Sequence, residues 1–211
     1  MYVDYYETSA LVGIGRPGER VTLDHLHKAA WSVFTGTGKL EVPQDTPRPF
    51  VFSADPAPGR ENVFLLVVRS AVEFPRAKRK MVNFEEGDTW QFGLHFKGLA
   101  SRKVWSEAKQ AFITRREFVP EDKIEPLIIQ PTLSRHGLEV FNVSLIGPTY
   151  MKHKPKGYQK KLPPHWYATL EGVVSDPLLM ANALTAGITH GKAYGFGMLT
   201  ILTAPAQEKV A

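Results

Sequence analysis

The residues best suited to chemistry in this sequence are one histidine near its start and one lysine near its end. His27 lies in the segment LDHLHKAAWSVF, and Lys192 lies in GITHGKAYGFGML together with Gly191, Gly195 and Gly197. Histidine is the side chain that exchanges a proton most readily near neutral pH. A glycine-rich loop exposes backbone N–H groups, and a lysine among them adds positive charge, so such loops often bind phosphate. The two segments together suit proton transfer at a phosphate group.

The glycine-rich loop does not match the common nucleotide-binding motifs. A P-loop has four residues between its first glycine and its Gly–Lys pair, and Ser or Thr follows the lysine. Here three residues separate Gly187 from Gly191, and Lys192 is followed by Ala193. A dinucleotide-binding loop follows a strand and opens a helix, whereas this loop follows a helical pattern and leads into a predicted strand. Its phosphate therefore belongs to another class of ligand.

The position of His27 in its segment allows two interpretations. Apolar residues recur around it at helical spacing, at Leu23, Leu26, Trp31 and Phe34, so the segment predicts an amphipathic helix with the histidine in its apolar stripe. His27 is then either a core histidine whose ring nitrogens are satisfied internally, or a histidine at the edge of the packed face, presented to a cleft. None of the seven histidines belongs to an HExxH motif, and no metal site is predicted.

Positive charge is concentrated in three segments, residues 76–80, 102–116 and 148–161. The whole chain has 26 Lys and Arg against 21 Asp and Glu, a net charge of +5. One basic run alone is typical of a solvated surface. Three runs with interleaved aromatic residues favour a nucleic acid, because Lys and Arg neutralise phosphates and aromatic rings stack on bases. The candidate contacts are Arg102, Lys103, Arg115, Arg116, Lys152, Lys154, Lys156, Lys160 and Lys161.

RNA is the nucleic acid that fits the other candidate residues. No GxSxG elbow marks a protein nucleophile, but RNA carries its own, the 2′-hydroxyl beside each phosphate. The protein then has only to align this hydroxyl, move a proton and stabilise the developing charge. No zinc-finger, basic-zipper or helix-turn-helix pattern indicates sequence-specific reading of duplex DNA. We therefore expect the glycine-rich loop to bind RNA phosphates.

The elements that must position these residues occur in two similar sets. In the first half we predict strands at 1–14, 49–54, 63–71 and 89–96, and a helix that begins after an N-cap at Thr22. In the second half we predict helices at 101–116 and 176–187 and strands at 124–130, 138–147, 166–174 and 193–202. This order predicts an α+β protein of two tandem ferredoxin-like (RRM-like) domains with antiparallel sheets. The first, 1–95, carries His27, and the second, 96–211, carries the basic loop and the glycine-rich loop.

Composition limits the class of protein. The content of 43% hydrophobic and 22% charged residues is ordinary for a globular chain, and the absence of cysteine excludes disulfides, thiol nucleophiles and Cys-ligated zinc. The first residues lack the pattern of a signal peptide, and the longest apolar run, VFLLVV, is too short to span a membrane. We expect a cytoplasmic protein with no membrane partner, no metal and no small-molecule cofactor.

The C-terminal stretch EGVVSDPLLMANALTAGITHGKAYGFGMLTI resembles the signature of the CasE family, the CRISPR repeat-processing endoribonucleases of type I-E systems. In that family a short helix ends in a glycine-rich loop with a central lysine, and a final apolar strand follows. The helix LDHLHKAAWSVF is similar to the family's early helix, which has a Leu–His pair and an aromatic residue four positions on, matched here by His27 and Trp31. RPFVFSADP, VFLLVVRSA and EGDTWQFGLHFKG resemble the strands in between, so the resemblance covers nearly the whole chain.

The resemblance implies metal-independent cleavage of the CRISPR repeat stem-loop by attack of a 2′-hydroxyl, leaving a 2′,3′-cyclic phosphate and a 5′-hydroxyl. It also implies that the protein stays bound to the product stem, beside the other subunits of an effector complex. By this match His27 takes the position of the catalytic histidine and Lys192 that of the lysine in the glycine-rich loop. Residues 152–161 match the basic loop that contacts the RNA stem.

One departure from the family leaves the second proton-transfer group open. Many relatives have a tyrosine three residues before the histidine, where this sequence has Asp24, and the alternatives are His25, Asp24 itself and Lys192. A type IV-like branch is an alternative to type I-E, because the middle of the chain is diverged. The alternative functions are a non-catalytic RNA-binding subunit, which has no need of His27, and an unrelated metabolic enzyme of ferredoxin-like fold, which leaves the basic segments unexplained.

Overall fold

The computed structural model describes residues 1–15, 18–39, 48–151, 164–188, 192 and 195–204. Its strands are β1 (Tyr2–Gly13), β2 (Phe50–Pro56), β3 (Val63–Ser70), β4 (Lys78–Asn83), β5 (Thr89–Lys97), β6 (Leu99–Ser106), β7 (Ala111–Phe118), β8 (Leu138–Tyr150), β9 (Pro164–Val174) and β10 (Leu199–Thr203). Its helices are α1 (Leu23–Thr35), α2 (Glu121–Ile124), α3 (Gln130–Ser134) and α4 (Pro177–Ala186), with a π-helical segment, Glu125–Ile129, between α2 and α3.

The strands form two four-stranded sheets and a separate hairpin. The first sheet has the order β2-β3-β1-β4, the second has the order β10-β5-β9-β8, and β6 and β7 form a two-stranded sheet. Every one of these pairings is antiparallel. The predicted α+β class with antiparallel sheets is confirmed.

Helix α1 covers one face of the first sheet. Its buried residues join the phenylalanines of β2 in one apolar cluster, which includes Leu23, Leu26, Ala29, Ala30, Trp31, Phe50 and Phe52. The Thr22 hydroxyl accepts a hydrogen bond from the backbone N–H of His25 at 3.3 Å, which confirms the predicted N-cap. Gly36 ends the helix in the left-handed conformation, with φ 69°. Both ends of the helix that carries His27 are therefore fixed.

The second sheet packs against α4 and the helical stretch of residues 121–134. Alternate residues of β5 face these helices, and the cluster includes Trp90, Phe92, Leu94, Phe96, Ile124, Leu133, Met180 and Leu184. Asp176 caps α4 by accepting hydrogen bonds from the N–H groups of Leu178 and Leu179 at 2.9 and 3.0 Å. Pro177 begins the helix and Gly187 follows its last turn, as predicted. The glycine-rich loop therefore starts at the C-terminal end of a capped helix with one buried face.

The prediction of a helix at residues 101–116 is wrong, because this segment forms the hairpin β6–β7. Val104 pairs with Ile113 and Trp105 pairs with Phe112, and the two aromatic rings of the second pair are 5.3 Å apart. Cross-strand pairs of aromatic and β-branched residues stabilise a hairpin. The two residues of each pair lie several positions apart in the sequence. The periodicity of apolar residues along the chain therefore does not reveal the hairpin.

The prediction of a strand at residues 124–130 is also wrong, since a continuous helical stretch runs from α2 through the π-helical segment into α3. Ile124, Ile128, Ile129 and Leu133 are buried, and their spacing follows a helix. A short apolar run does not by itself distinguish a strand from a buried helix. Two further differences concern strands: β4 forms where the sequence showed only a basic segment, and the last strand begins at Leu199 instead of residue 193.

The predicted domain boundary near residue 95 falls inside β5. This strand belongs to the second sheet over its whole length, Thr89–Lys97, whereas β4, which ends at Asn83, belongs to the first. The change of sheet between β4 and β5 favours a boundary several residues earlier. The division into 1–95 and 96–211 itself stays a prediction.

Arg69 is a buried cation that joins the two halves, with only 2% of its surface exposed. Its Nε and Nη2 donate to Oε2 of Glu7, also in the first sheet, at 2.8 and 2.6 Å. Its Nη1 donates to the carbonyl oxygens of Leu184 in α4 and Leu199 in β10, at 3.2 and 2.6 Å. One guanidinium thus binds a carboxylate of the first half and holds both ends of the segment that contains the glycine-rich loop.

We expect Arg69→Met to lower the free energy of unfolding by about 3–5 kcal/mol, because it removes one partner of a buried ion pair and leaves two carbonyls without this donor. Urea titration followed by tryptophan fluorescence measures the loss. Arg79→Met is the matched control, since Arg79 pairs with Asp4 on the exposed surface of the same sheet, and its free energy of unfolding should barely change. Equal, small effects of the two substitutions would contradict the role given to Arg69.

Candidate functional site

His27 lies half-buried on α1, where Trp31 holds its ring. The indole Nε1 of Trp31 donates a hydrogen bond to Nε2 of His27 at 3.0 Å. A ring nitrogen that accepts a hydrogen bond carries no proton, so His27 is the neutral tautomer with its proton on Nδ1. Trp31 is itself buried and packs edge-on against Phe50, with ring centroids 5.0 Å apart. The apolar core therefore orients His27 while part of its ring stays accessible.

The surroundings of His27 favour its neutral form. Burial lowers the pKa of His27 below its usual value of 6.5, the positive charge of Arg48 lowers it further, and the nearby Asp24 carboxylate only partly opposes them. The hydrogen bond from Trp31 acts in the same direction, because it needs an unprotonated Nε2. An imidazole that is neutral near pH 7 is ready to accept a proton.

Two described glycines of the glycine-rich loop, Gly187 and Gly195, lie against β2, the edge strand of its sheet. A Cβ on Gly187 would lie 3.1 Å from Cγ1 of Val51, and a Cβ on Gly195 would lie 3.0 Å from Cε2 of Phe52. Val51 and Phe52 are consecutive in a strand and point to opposite faces, so the two glycines contact opposite faces of β2. Both glycines have positive φ, 72° and 85°, a conformation in which other residues are strained. These glycines let the loop approach β2 closely.

Arg48 lies two residues before β2. Its positive charge acts on both His27 and Lys192, so the three side chains lie in one region. Burial is the larger cause that lowers the pKa of each of these two groups, and the charge of Arg48 lowers both further. The sequence predictions missed Arg48, for which the only local signal is an arginine between two prolines, Pro47 and Pro49, ahead of an apolar strand. Its neighbours come from distant parts of the chain.

Gly197, another residue of the loop that is predicted to bind RNA, connects the loop to the second sheet through backbone hydrogen bonds. Its N–H donates to the carbonyl oxygen of His95 in β5, and its own carbonyl accepts from the N–H of Ile188, both at 2.8 Å. His136, which sequence reasoning also missed, lies at the same loop: burial lowers its pKa, the backbone of Ile188 partly opposes this, and the charges of Lys192 and Arg135 lower the pKa further. The loop is therefore held by backbone contacts on the side opposite β2.

The predicted nucleic-acid contacts Arg102, Lys103, Arg115 and Arg116 are exposed on the hairpin β6–β7. Arg102 lies directly opposite Arg115, whereas Lys103 and Arg116 occupy the alternate positions that point to the other face. None of the four forms an ion pair with another described residue. Like charges placed opposite each other destabilise a hairpin, so this surface is suited to a polyanion that neutralises them.

Lys97 connects the hairpin with the glycine-rich loop. It ends β5, and burial lowers its pKa, which the charge of Arg116 lowers further. Its Nζ lies 5.2 Å from the ring centroid of Phe196 in the loop. Positive side chains therefore extend from the hairpin through Lys97 to the loop that carries Lys192.

Six predicted residues, Gly191, Lys152, Lys154, Lys156, Lys160 and Lys161, lie outside the described residues, and their contacts stay predictions. Within the described ranges, no group of three or more His, Asp or Glu side chains is gathered as metal ligands. No helix in the same part of the chain is long and apolar enough to cross a membrane.

Comparison with known proteins identifies relatives of this fold. A family model described as CRISPR associated protein matches residues 16–203. No curated protein sequence matches the chain significantly. The solved structure of the CRISPR endoribonuclease Cse3 bound to 19 nt RNA is similar with a TM-score of 0.65 and 14% identity, covering 95% of this chain and 100% of that one. The CRISPR-associated protein Cas6e from Escherichia coli K-12 is similar with a TM-score of 0.62 and 19% identity, covering 97% and 100%.

A third similar structure is a chain of a CRISPR RNA-guided surveillance complex, with a TM-score of 0.56 and 15% identity over 95% of this chain and 99% of that one. These likenesses confirm the predicted pair of ferredoxin-like units, since each extends over nearly all of both chains. The family model covers far more than half of the sequence. The chain therefore belongs to the family of CRISPR-associated proteins that its sequence resembles.

Proposed function

We propose that this protein is an endoribonuclease that cleaves CRISPR precursor RNA at the repeat hairpin. The observation that carries the proposal is a histidine held neutral, His27, in one region with the cations Arg48 and Lys192. Membership in the CRISPR-associated family supports it, as does a fold shared with an endoribonuclease solved with RNA. The combination suits proton transfer beside a phosphate.

The proposed reaction uses the RNA as its own nucleophile. The 2′-hydroxyl oxygen attacks the adjacent phosphorus, the bond from phosphorus to the 5′-oxygen breaks, and the products are a 2′,3′-cyclic phosphate and a 5′-hydroxyl. His27 accepts the proton of the 2′-hydroxyl at Nε2, which exchanges its hydrogen bond from the Trp31 indole for one from the hydroxyl. A second group returns a proton to the leaving 5′-oxygen. Protein cations stabilise the charge that develops on the phosphate oxygens, so the mechanism needs no metal ion.

Lys192 is the strongest of the three alternatives for the proton donor. Burial and the charge of Arg48 lower its pKa, which makes its ammonium a better acid than an ordinary lysine. Asp24 is engaged in an ion pair with Lys28 at 3.0 Å on the same helix. Nδ1 of His25 is buried and has no hydrogen-bond partner among the described residues, so it does not face solvent where a substrate would arrive.

The hairpin β6–β7 is proposed to bind the RNA stem, together with the lysines of residues 152–161. Duplex RNA is recognised largely through its shape and phosphates, and the exposed, unneutralised arginines of the hairpin suit that mode. The protein is further proposed to remain on the product as a subunit of an effector complex, which the shared fold with a chain of the surveillance complex supports. Replacing the cations of the hairpin with Ala tests whether the hairpin binds the RNA stem.

Replacing Arg102, Lys103, Arg115 and Arg116 with Ala together is expected to weaken binding to all stem sequences alike. The slope of log affinity against log salt should become shallower by about 0.7–0.9 for each phosphate that the variant no longer neutralises. The measurement is a salt titration of binding with an uncleavable hairpin. A double replacement of exposed cations elsewhere, Arg60→Ala with Lys123→Ala, should keep the original slope. An unchanged slope in the hairpin variant would make the hairpin a merely solvated surface.

The function itself is tested by incubating the protein with a CRISPR repeat hairpin in the presence of a chelator such as EDTA. We expect a single cut, with a cyclic phosphate on the upstream fragment and a hydroxyl on the downstream one, both identified by mass spectrometry. Binding without cleavage would support the alternative of a non-catalytic RNA-binding subunit. A strict need for magnesium would contradict the proposed mechanism.

A further inference from the structure

Arg48 is half-buried, and unlike the buried Arg69 it forms no ion pair with any of the described residues. Nε and Nη1 of Arg48 are buried and have no hydrogen-bond partner among the described residues. Arg69, in contrast, satisfies its guanidinium with Glu7 and two backbone carbonyls. Burial alone lowers the pKa of Arg48 to about 10. Unpaired donors of a half-buried guanidinium are costly to the folded state, which suits Arg48 to binding an anionic ligand.

A chain of ring contacts places Arg48 with His27. The guanidinium carbon of Arg48 lies over the ring of Phe50, 5.6 Å from its centroid. Phe50 packs against Trp31 at 5.0 Å, and Trp31 donates its hydrogen bond to Nε2 of His27. The same packed aromatic side chains therefore support both the cation and the imidazole.

Two glycines of the glycine-rich loop contact the strand that follows Arg48. Gly187 and Gly195 of the loop lie against Val51 and Phe52 of β2, the strand that starts two residues after Arg48. Lys192 belongs to the same loop, so β2 supports a cation from each of two separate chain segments. Arg48 and Lys192 contribute two positive charges beside the neutral His27, and one phosphate is suited to pairing with both cations.

We propose that Arg48, whose side chain is partly exposed, binds a non-bridging oxygen of the scissile phosphate through its guanidinium. A guanidinium presents two donors in a plane that matches two phosphate oxygens. Negative charge on these oxygens grows as the 2′-oxygen attacks, so the hydrogen bonds strengthen toward the transition state. This inference rests on the proposed function, because it assigns Arg48 to the same reaction.

The first test measures binding and does not depend on cleavage. Hairpin RNA that ends in a 3′-phosphate is compared with the same RNA ending in a 3′-hydroxyl, for wild type, Arg48→Met and Arg60→Met. Methionine keeps an unbranched stem against Phe50 but removes the charge, and Arg60 is an exposed arginine in the turn after β2. We expect wild type and Arg60→Met to bind the phosphate-terminated RNA roughly ten- to hundredfold more tightly. Arg48→Met should lose most of this preference.

The second test measures cleavage of RNA with one sulfur in place of a non-bridging oxygen at the cut. Arg48→Met is expected to cleave the natural RNA roughly 10²–10³-fold more slowly than wild type. The difference in rate between the two sulfur diastereomers should shrink in the variant, because the group that distinguishes the two oxygens is gone. A merely structural role for Arg48 would slow both diastereomers equally and leave their ratio unchanged.

The outcomes separate this inference from the proposed function. If wild type cleaves but Arg48→Met keeps its rate and diastereomer ratio, the inference is overturned and the function stands. If wild type binds both RNA ends equally, Arg48 makes no phosphate contact and the inference is again overturned. If wild type never cleaves but Arg48→Met loses a preference for the phosphate end, the phosphate contact stands and the enzymatic function fails.

Discussion

Replacing His27 with Ala is expected to slow cleavage of the repeat hairpin by roughly two to four orders of magnitude, the usual range for loss of a general acid or base. Affinity for the hairpin should change little, because the hairpin β6–β7 and the cations around the loop remain. Single-turnover cleavage and filter binding measure the two quantities separately. A variant that cuts at the wild-type rate would leave His27 as an ordinary core histidine.

Two further measurements distinguish loss of the imidazole from loss of the fold. His27 supports the packing of α1 through its contact with Trp31, so Ala could weaken the fold. His27→Gln keeps an acceptor near the indole N–H and should be folded, as judged by near-ultraviolet circular dichroism, yet equally slow. A folded Gln variant with normal activity would show that the imidazole is not needed.

The pH dependence of cleavage should also identify His27. Its proton-accepting form is the neutral one, so the rate should fall as the pH decreases through the pKa of His27, which burial and the charge of Arg48 hold below 6.5. The acid limb therefore has a midpoint below 6.5, with a plateau near neutral pH. Because Arg48 contributes to the lowering, Arg48→Met should move this limb to higher pH. A limb above about pH 7 in wild type would contradict a neutral His27.

RNA with a single 2′-deoxy sugar upstream of the cut is expected to bind normally and to remain intact. The nucleophile of the proposed reaction is that one hydroxyl, and the bond from its oxygen to phosphorus cannot form without it. The same RNA with the deoxy sugar one nucleotide further upstream is the control, and it should be cut at the normal rate. Cleavage of the first substrate would mean that water attacks instead, and it would exclude the cyclic phosphate as product.

Local signals explain which parts of the structure the sequence could predict. Helix α1 was predictable because its N-cap Thr22 and its apolar spacing lie within a short segment, and α4 likewise because Asp176 and Pro177 mark its start. The hairpin at 101–116 was not predictable, because it depends on pairing between the strands, such as Trp105 with Phe112. The periodicity of a short segment carries no information about such pairing. The apolar run at 124–130 was ambiguous between a strand and a buried helix until its packing partners were known.

The candidate site was only partly predictable for the same reason. His27 and Lys192 could be proposed from residue type and from the resemblance to the CasE family. Arg48 could not, because its significance depends on the lack of an acceptor among the described residues and on neighbours from α1 and the glycine-rich loop. No pattern along the chain reports which buried charges lack a partner.

The hydrogen bonds of Arg69 have a consequence for how the protein unfolds. Its donors satisfy acceptors in the first sheet, in α4 and in β10, so neither half can lose its structure without exposing unsatisfied groups in the other. Cooperativity of this kind suppresses partly folded states in which only one half is intact. The two ferredoxin-like units should therefore melt together in a single calorimetric transition, and the two ends of the segment that carries Lys192 should stay anchored up to the melting temperature.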